Sequence, residues 1–371
     1  MNKFKQIELE NIIELRKEKY NPLESDTNKP CIELEHFDQE TGQINGYISS
    51  LEQKSIKNVF YKGDVLFGKL RPYLKKYWLA EFDGVCSSEA WVLKPKNNNI
   101  ITKKFLFYLV QSELFIRIAN ISSGSKMPRA DWNYISEYPF PIPPLEEQEK
   151  IAEILLTCDK AIRLTTQIIT QLKQRNQGLA QQLLTGEKRV KGFENSVWKE
   201  VRLGEICKIT TGKLDANEMV PNGKYRFYTC AKDYFYINKY AFDTEALLIS
   251  GNGAYVGYVH YYKGKFNAYQ RTYVLDSFIE NIRFIKFFLD KNLKKRISNE
   301  KMEGNTPYII LSTLSEMLIH LPSLTEQNAI AQILDTAHQE LKLYEQKLQL
   351  LQAQKKTLMQ KLLTGEVLTL G

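Results

Sequence analysis

Residues 142–187 read IPPLEEQEKIAEILLTCDKAIRLTTQIITQLKQRNQGLAQQLLTGE, and residues 321–366 read LPSLTEQNAIAQILDTAHQELKLYEQKLQLLQAQKKTLMQKLLTGE. The two stretches align without a gap at a constant offset of 179, and 19 of the 46 positions are identical. The match continues upstream, still without a gap, to Pro128 and Pro307. Self-similarity at a constant offset marks a duplicated unit. The rest of each half repeats more faintly. Residues 4–9 (FKQIEL) resemble residues 198–203 (WKEVRL) at an offset of 194. Val65-Leu66-Phe67 and residues 90–93 resemble Leu247-Leu248-Ile249 and residues 272–275 at an offset of 182. The chain therefore divides into residues 1–141, 142–187, 188–320 and 321–371: two related globular units, each followed by a related helix. The helices have stayed alike while the units have diverged, as expected of a constant frame that carries two different specificities.

Within the first helix, alternating steps of four and three pick out Ile151, Leu155, Cys158, Ile162, Thr165, Ile169, Leu172, Asn176, Leu179 and Leu183. In the second they pick out Ile330, Leu334, Ala337, Leu341, Tyr344, Leu348, Leu351, Lys355, Leu358 and Leu362. A 3.5-residue apolar period held this long is a coiled-coil seam. Both seams are broken in the same heptad, by Asn176 and Lys355, and a polar seam residue sets register at some cost in stability. Pro143, Pro144 and Pro322 precede the helices, and Gly186 and Gly365 stand where a C-capping glycine belongs. Each helix of about 40 residues spans roughly 60 Å. An ordinary helical bundle is one way to bury the seams. Two long seams separated by a globular unit more naturally pair antiparallel, with the units at opposite ends of a rod. On that reading residues 362–366 lie near the N-terminus of the first unit, and the molecule is nearly circular with pseudo-twofold symmetry.

Length and composition bound the function. A chain of 371 residues suggests two or three domains. With 43% hydrophobic and 25% charged residues it is globular rather than disordered. No apolar run approaches the ~18 residues of a membrane span, and the N-terminus lacks the apolar core of a signal peptide. The five cysteines, 31, 86, 158, 207 and 230, are scattered and odd in number, which argues against a disulfide framework. These features predict a soluble, cytoplasmic protein. The net charge of +8 resides in the globular units, which carry 20 basic against 18 acidic groups (residues 1–141) and 21 against 14 (residues 188–320). A mild basic excess favours a polyanionic partner.

Each unit alternates β-rich runs with turn signals, predicting a mixed α+β domain around a curved, mostly antiparallel sheet. Residues 246–250 and 255–262 read as two strands joined by a tight turn at Gly251-Asn252-Gly253, and residues 102–119 and 279–294 read as helices. Basic residues interleave with tyrosine, of which residues 188–320 hold twelve. The candidate DNA contacts are Lys69, Arg71, Tyr73, Lys75, Lys76, Lys126 and Arg129 in the first unit. In the second they are Lys213, Lys224, Arg226, Tyr228, Asn252, Tyr255, Gln270 and Arg271. Lys and Arg neutralise phosphates, while Arg, Asn and Gln can make paired hydrogen bonds to base edges. For any one of these residues a solvated surface or a core tyrosine is the ordinary alternative.

Motifs for chemistry are missing. The Gly-Lys pairs at 68, 212, 223 and 264 are not followed by Ser or Thr, so no P-loop is present. Gly251-Asn252-Gly253 lacks the third glycine and the helix of a dinucleotide loop. The four histidines, 36, 260, 320 and 338, have no zinc-ligand spacing. No Pro-Asp pair opens a nuclease motif, and no Asn-Pro-Pro-aromatic run marks an amino-methyltransferase.

The doubled P-x-L-x-E-Q-x-x-I-A-x-I-L at residues 143–155 and 322–334, each closed by L-L-T-G-E, resembles the specificity subunit of type I restriction-modification systems. Gly251-Asn252-Gly253-Ala254-Tyr255-Val256-Gly257 also resembles a turn of that family's variable domains; the first unit has Gly68-Lys69-Leu70-Arg71-Pro72-Tyr73 in its place. The resemblance implies two target recognition domains, each reading one part of a split, asymmetric double-stranded DNA site, with the paired helices setting the gap. It implies two methyltransferase subunits docked on the helices, and motor-nuclease subunits beyond them. S-adenosylmethionine, ATP and Mg are then held by those partners; this chain binds no cofactor or metal and catalyses nothing. Glu147-Gln148 and Glu326-Gln327 are candidates for docking the methyltransferase, or serve only the helix N-termini. A specificity subunit for a combined methyltransferase-nuclease, a coiled-coil scaffold without a DNA role, and a self-contained nuclease or methyltransferase remain as alternatives.

Overall fold

The computed structural model describes residues 4–121, 127–300 and 308–369. The chain forms two compact units, Met1–Thr166 with Gln346–Gly371, and Gln167–Glu345. Each unit thus contains one half of each long helix, Leu145–Leu184 and Leu324–Thr364.

The helices end as their sequences require. Gly186 and Gly365 both take φ of 74°, a conformation that only glycine adopts without strain. The Lys188 N–H donates to the Gln182 carbonyl (3.1 Å) and the Val367 N–H to the Lys361 carbonyl (3.3 Å), so the chain folds back over the last turn in the same way at both ends.

Within each unit the two helix halves run antiparallel. In unit 2, Lys173 pairs with Glu345 (3.0 Å), Arg175 with Glu340 (2.7 Å), and the Asn176 amide donates to the Ala337 carbonyl (2.8 Å). In unit 1, Lys355 pairs with Asp159 at 2.5 Å, and Tyr108 donates to the same carboxylate at 2.7 Å. The two polar breaks in the seam are therefore satisfied differently, one by a neutral amide and one by an ion pair. Every seam residue of the first helix is buried or half-buried. In the second helix Leu358 departs from the expected seam: it is 38% exposed, and Met359 packs on the core instead. A helix of 3.6 residues per turn drifts against a 3.5-residue pattern, so by its end the buried stripe has moved one residue on.

Leu362 and Leu363 share one core with Phe4, Leu9, Ile151 and Leu155, so the end of the second helix packs beside the start of the chain in unit 1, as expected. In unit 2 the equivalent Leu183 and Leu184 pack with Leu203, Phe284 and Ile330.

The duplication extends to strand register. Lys5–Glu8 pairs with Pro139–Ile142 as Lys199–Arg202 pairs with Leu318–Leu321, with Lys5 opposite Ile142 and Lys199 opposite Leu321. Leu66 faces Val92 in unit 1, and Leu248 faces Val274 in unit 2. Leu15 faces Leu93, and Ile209 faces Leu275. Each pair maps onto the other at the offsets of 194, 182 and 179 seen in the sequence.

Around this shared centre the units differ. Unit 2 carries one six-stranded sheet in the order Lys208–Thr211, Thr272–Asp276, Phe242–Ser250, Val259–Ala268, Tyr225–Tyr228, Phe235–Ile237, with a single parallel pair, Tyr225–Tyr228 beside Val259–Ala268. Unit 1 does not build one sheet. A four-stranded antiparallel sheet (Ile13–Leu15, Ala90–Pro95, Val65–Gly68, Tyr77–Leu79) is joined by a separate five-stranded one, in which Pro30–Ile32 lies parallel to Gly84–Cys86. That approach needs Gly84, where a Cβ would stand 2.6 Å from the Pro30 carbonyl oxygen.

Three expected elements are corrected. Residues 102–119 form two helices, Lys103–Leu109 and Glu113–Ala119, because the Ser112 hydroxyl accepts the Phe115 N–H and caps a new start. The helix expected at 279–294 is Ile282–Glu300, set by Asn281, whose side chain accepts the Phe284 N–H at 2.8 Å. The strand expected from Tyr255 begins at Val259, since Gly253 and Gly257 carry the preceding residues through a loop at φ near 80°.

Candidate nucleic-acid interface

In unit 1 the strand Val65–Gly68 runs into a turn at Pro72–Leu74. The residues on either side, Arg71 (φ 53°) and Lys75 (φ 50°), are both left-handed. Each such residue costs about 1–2 kcal/mol, so the surrounding structure must hold the turn. It does so through the main chain. The Arg71 N–H donates to Pro128 (2.7 Å), Ala130 to Lys69 (2.9 Å), Gly68 to Lys76 (2.8 Å) and Glu40 to Lys75 (3.1 Å). The result projects Tyr73, 51% exposed, from a braced turn.

The candidate cations here fall into two groups. Lys75 pairs with Glu40 (2.7 Å), Lys76 donates to the Leu34 carbonyl (2.6 Å), and Arg129 holds both oxygens of Glu89 (3.0 and 3.2 Å). Lys69 and Arg71 have no side-chain partner among the described residues, and Arg71 is exposed. Lys126 lies outside the described residues.

In unit 2, Gln270 and Arg271 come together at a cavity of about 250 Å³ lined also by Thr211, Gly251, Tyr273, Tyr308 and Ile309. The Gln270 amide donates to Asp215 (2.8 Å), which orients the side chain and leaves its carbonyl oxygen without a partner among the described residues. The Arg271 guanidinium is exposed and has no partner among the described residues. The cavity wall is built on the main chain: Gly251 donates to Arg271 (2.9 Å), Ile309 to Gly251 (2.8 Å), and the Tyr273 hydroxyl to Ile309 (2.9 Å). A Cβ at position 251 would overlap the Arg271 carbonyl oxygen. Gly251→Ala is therefore expected to destabilise unit 2 by about 1–3 kcal/mol and to distort this wall; thermal unfolding of the full chain measures it. Asn252 bridges to Tyr308, and Tyr255 stands 49% exposed on the adjoining loop.

A second group lies along the strands Tyr225–Tyr228 and Val259–Ala268. Lys224 stands 5.4 Å from the Tyr225 ring, Tyr225 meets Tyr240 edge-on at 5.0 Å, and Lys265 lies 4.7 Å from Tyr240. Arg226 lies against Tyr234 and Tyr262. Tyr228 is only 2% exposed: it sits under the rings of His260, Tyr262 and Phe266 and belongs to the core, not to the surface expected of a contact residue. Lys213 is exposed. Lys265, Tyr240 and Tyr262 were not among the sequence candidates; the tyrosines and lysines of residues 258–265 (YVHYYKGK) were a signal for Lys265 and Tyr262, and none pointed to Tyr240.

The Glu-Gln pairs are structural ties. Gln148 accepts the Thr102 N–H (2.9 Å) and donates to Ile100 (2.8 Å) and Pro143 (2.9 Å). Gln327 accepts the Asn281 N–H (3.0 Å) and donates to Pro322 (3.0 Å) and Glu280 (2.7 Å). Buried Glu147 accepts the Thr369 N–H (2.6 Å), and buried Glu326 holds Arg189 (2.9 and 2.8 Å) and Ser196 (2.8 Å). All four side chains are buried inside their own unit and tie the starts of the long helices to segments far away in the chain rather than merely capping those helices.

Burial pushes the Cys31 and Cys207 thiols up to about 12, away from the range of a reactive thiolate. Among the described residues no three His, Cys, Asp or Glu are grouped to hold a metal, and no helix is long and apolar enough to cross a membrane.

The duplicated helices carry two units that share strand register and differ in their exposed cations. The family model for the type I restriction modification DNA specificity domain matches residues 1–174 and 195–353, and the chain belongs to that family. It is 46% identical over 140 residues to the EcoDI specificity subunit of Escherichia coli, covering 38% of this chain and 31% of that one. It thus spans about a third of that relative. With the MjaVIII specificity subunit of Methanocaldococcus jannaschii it shares 27% identity over 319 residues, covering 76% and 74% of the two chains. Its fold is similar to that of the S subunit of a type I system from M. genitalium, with a TM-score of 0.69 and 19% identity over 97% of this chain and 96% of that one.

Proposed function

We propose that this chain supplies the DNA address of a type I restriction-modification complex. One observation carries the reading. Two units that share register, core and helix ties present different free cations to solvent: Lys69 and Arg71 on a braced turn in one, Arg271 beside an oriented Gln270 in the other. A common frame with divergent polar surfaces is what reading two different DNA segments requires. Each unit reads one part of a split, asymmetric duplex site, lysines neutralising phosphates while Arg and Gln meet base edges. The long helices set the unread gap. Two methyltransferase subunits dock on the helices and methylate adenines with S-adenosylmethionine, and motor-nuclease subunits with ATP and Mg complete the complex; this chain contributes no chemistry.

The test is a methylation map. A methylation-free host co-expresses this chain with the methyltransferase encoded beside it, and long-read sequencing reports modified adenines. The expected outcome is two short defined parts around a constant gap, with one modified adenine in each. Methylation that persists when this chain is omitted removes the proposal. In the same assay Arg271→Ala or Arg71→Ala is expected to relax one half-site only, by about 1–3 kcal/mol for a paired base contact. A uniform loss across all sequences marks a phosphate contact instead.

A further inference from the structure

We propose that Arg226 reads a guanine in the DNA segment addressed by unit 2, an inference that rests on the DNA reading above. Arg226 stands on the strand Tyr225–Tyr228, opposite Phe266 on one neighbour and Tyr236 on the other. Its guanidinium lies 4.2 Å from the centre of the Tyr234 ring and 4.5 Å from that of Tyr262. Nη1 donates to the Tyr228 hydroxyl at 3.3 Å, and Tyr228 is locked in the core beneath it. The side chain is half-buried, and its orientation is set by the rings rather than by solvent.

Comparison with other arginines shows what is missing. Arg16 lies 4.6 Å from the Tyr61 ring and holds both oxygens of Asp64 (2.8 and 3.1 Å). Arg189 lies 5.5 Å from the Trp198 ring and holds both oxygens of Glu326. Arg283 lies 4.6 Å from the Tyr261 ring and holds both oxygens of Asp335. In each, stacking positions the planar group and a carboxylate fills its fork. Arg226 is stacked in the same way and has no carboxylate among the described residues. A guanidinium fork needs two parallel acceptors, and here the described residues supply one hydroxyl, that of Tyr228, and no such pair.

Duplex DNA offers such a pair at O6 and N7 of guanine in the major groove, and at phosphate oxygens. Phosphate contact asks only for charge, which exposed Lys213 and Lys224 provide. Reading a base asks for a fork held in one orientation before the DNA arrives, so that little side-chain entropy is lost on binding. The rings of Tyr234 and Tyr262 supply that orientation, which assigns the fork to guanine.

The experiment selects binding sites from a pool of randomised duplexes using the full-length chain, as wild type, Arg226→Lys and Arg226→Gln. Arg226→Lys keeps the charge and removes the fork, and its unfolding midpoint checks that the unit still folds. The expected result is loss of one guanine preference, about 10–100-fold, at a single position, with every other position of the motif unchanged in both variants. An unchanged motif with weaker binding to all duplexes and a smaller salt dependence makes Arg226 a phosphate contact and overturns the proposal. An unchanged motif at unchanged affinity makes the stacked arginine purely structural and overturns it as well. A wild-type chain that selects no motif removes the DNA reading itself, and this assignment with it.

Discussion

Inserting four residues after Thr170 is expected to lengthen the unread gap of the DNA site, or to abolish binding, while both half-site sequences stay the same. Thr170 lies inside the continuous 40-residue helix Leu145–Leu184. Four residues add about 6 Å of rise and a rotation about 40° beyond one full turn. That is close to two base-pair steps, and a rigid spacer transmits both the length and the phase, because DNA turns once in roughly 34–36 Å. The insertion does not touch the braced turn of unit 1 or the Gln270–Arg271 cavity of unit 2. A methylation map in which the half-site sequences changed and the gap did not would refute the helix as a ruler.

The second large effect belongs to the polar break in the second helix. Asp159→Ala is expected to destabilise unit 1 by about 2–4 kcal/mol, somewhat less than the 3–5 of a fully buried pair because both partners keep slight solvent access. The substitution leaves the Lys355 ammonium, 12% exposed, beside the Tyr108 ring with only the Gln111 oxygen at 3.4 Å to receive it. It also takes away the acceptor of the Tyr108 hydroxyl. Replacing both partners, Asp159→Leu with Lys355→Met, is expected to be neutral or stabilising, since neither desolvated charge then remains. Denaturant unfolding of the full chain compares the two. Equal stability of wild type and Asp159→Ala would show that the pair contributes nothing and that register is set by the apolar seam alone. At the equivalent place in unit 2 the Asn176 amide donates to the Ala337 carbonyl and its oxygen accepts from Arg175, which still holds Glu340, so Asn176→Leu leaves no charge without a partner and should cost less.

The helices were legible because their information is local and repeated. An apolar residue every three or four positions determines which stripe is buried, and a glycine after the last turn determines where the chain leaves it. Leu358 shows the limit, since a strict heptad cannot express the drift that brings Met359 to the core. The Glu-Gln pairs were conspicuous as letters and opaque as roles. Glu326 meets Arg189 across 137 residues and Gln148 meets Thr102 across 46, so no spacing rule could join them. The candidate cations were legible only as a class. Lys75, Lys76 and Arg129 pair with Glu40, the Leu34 carbonyl and Glu89, whereas Lys69 and Arg71 have no such partner among the described residues. Tyr228 and Arg226 lie two residues apart on one strand, and one is core while the other holds an open fork, because Phe266 and His260 cover the first and not the second.

By itself the sequence determined the duplication, most of the pairing seam and the helix ends, which follow from periodicities and caps that a neighbouring turn enforces, while the resemblance to the family rested on the doubled P-x-L-x-E-Q-x-x-I-A-x-I-L motif. Only the tertiary structure decided which of the candidate polar groups have a partner among the described residues and which do not. Whether a charge is spent or available depends on an acceptor brought within about 3 Å by strands and helices far away in the chain, and hydrogen bonds and ion pairs act at that distance and not along the sequence.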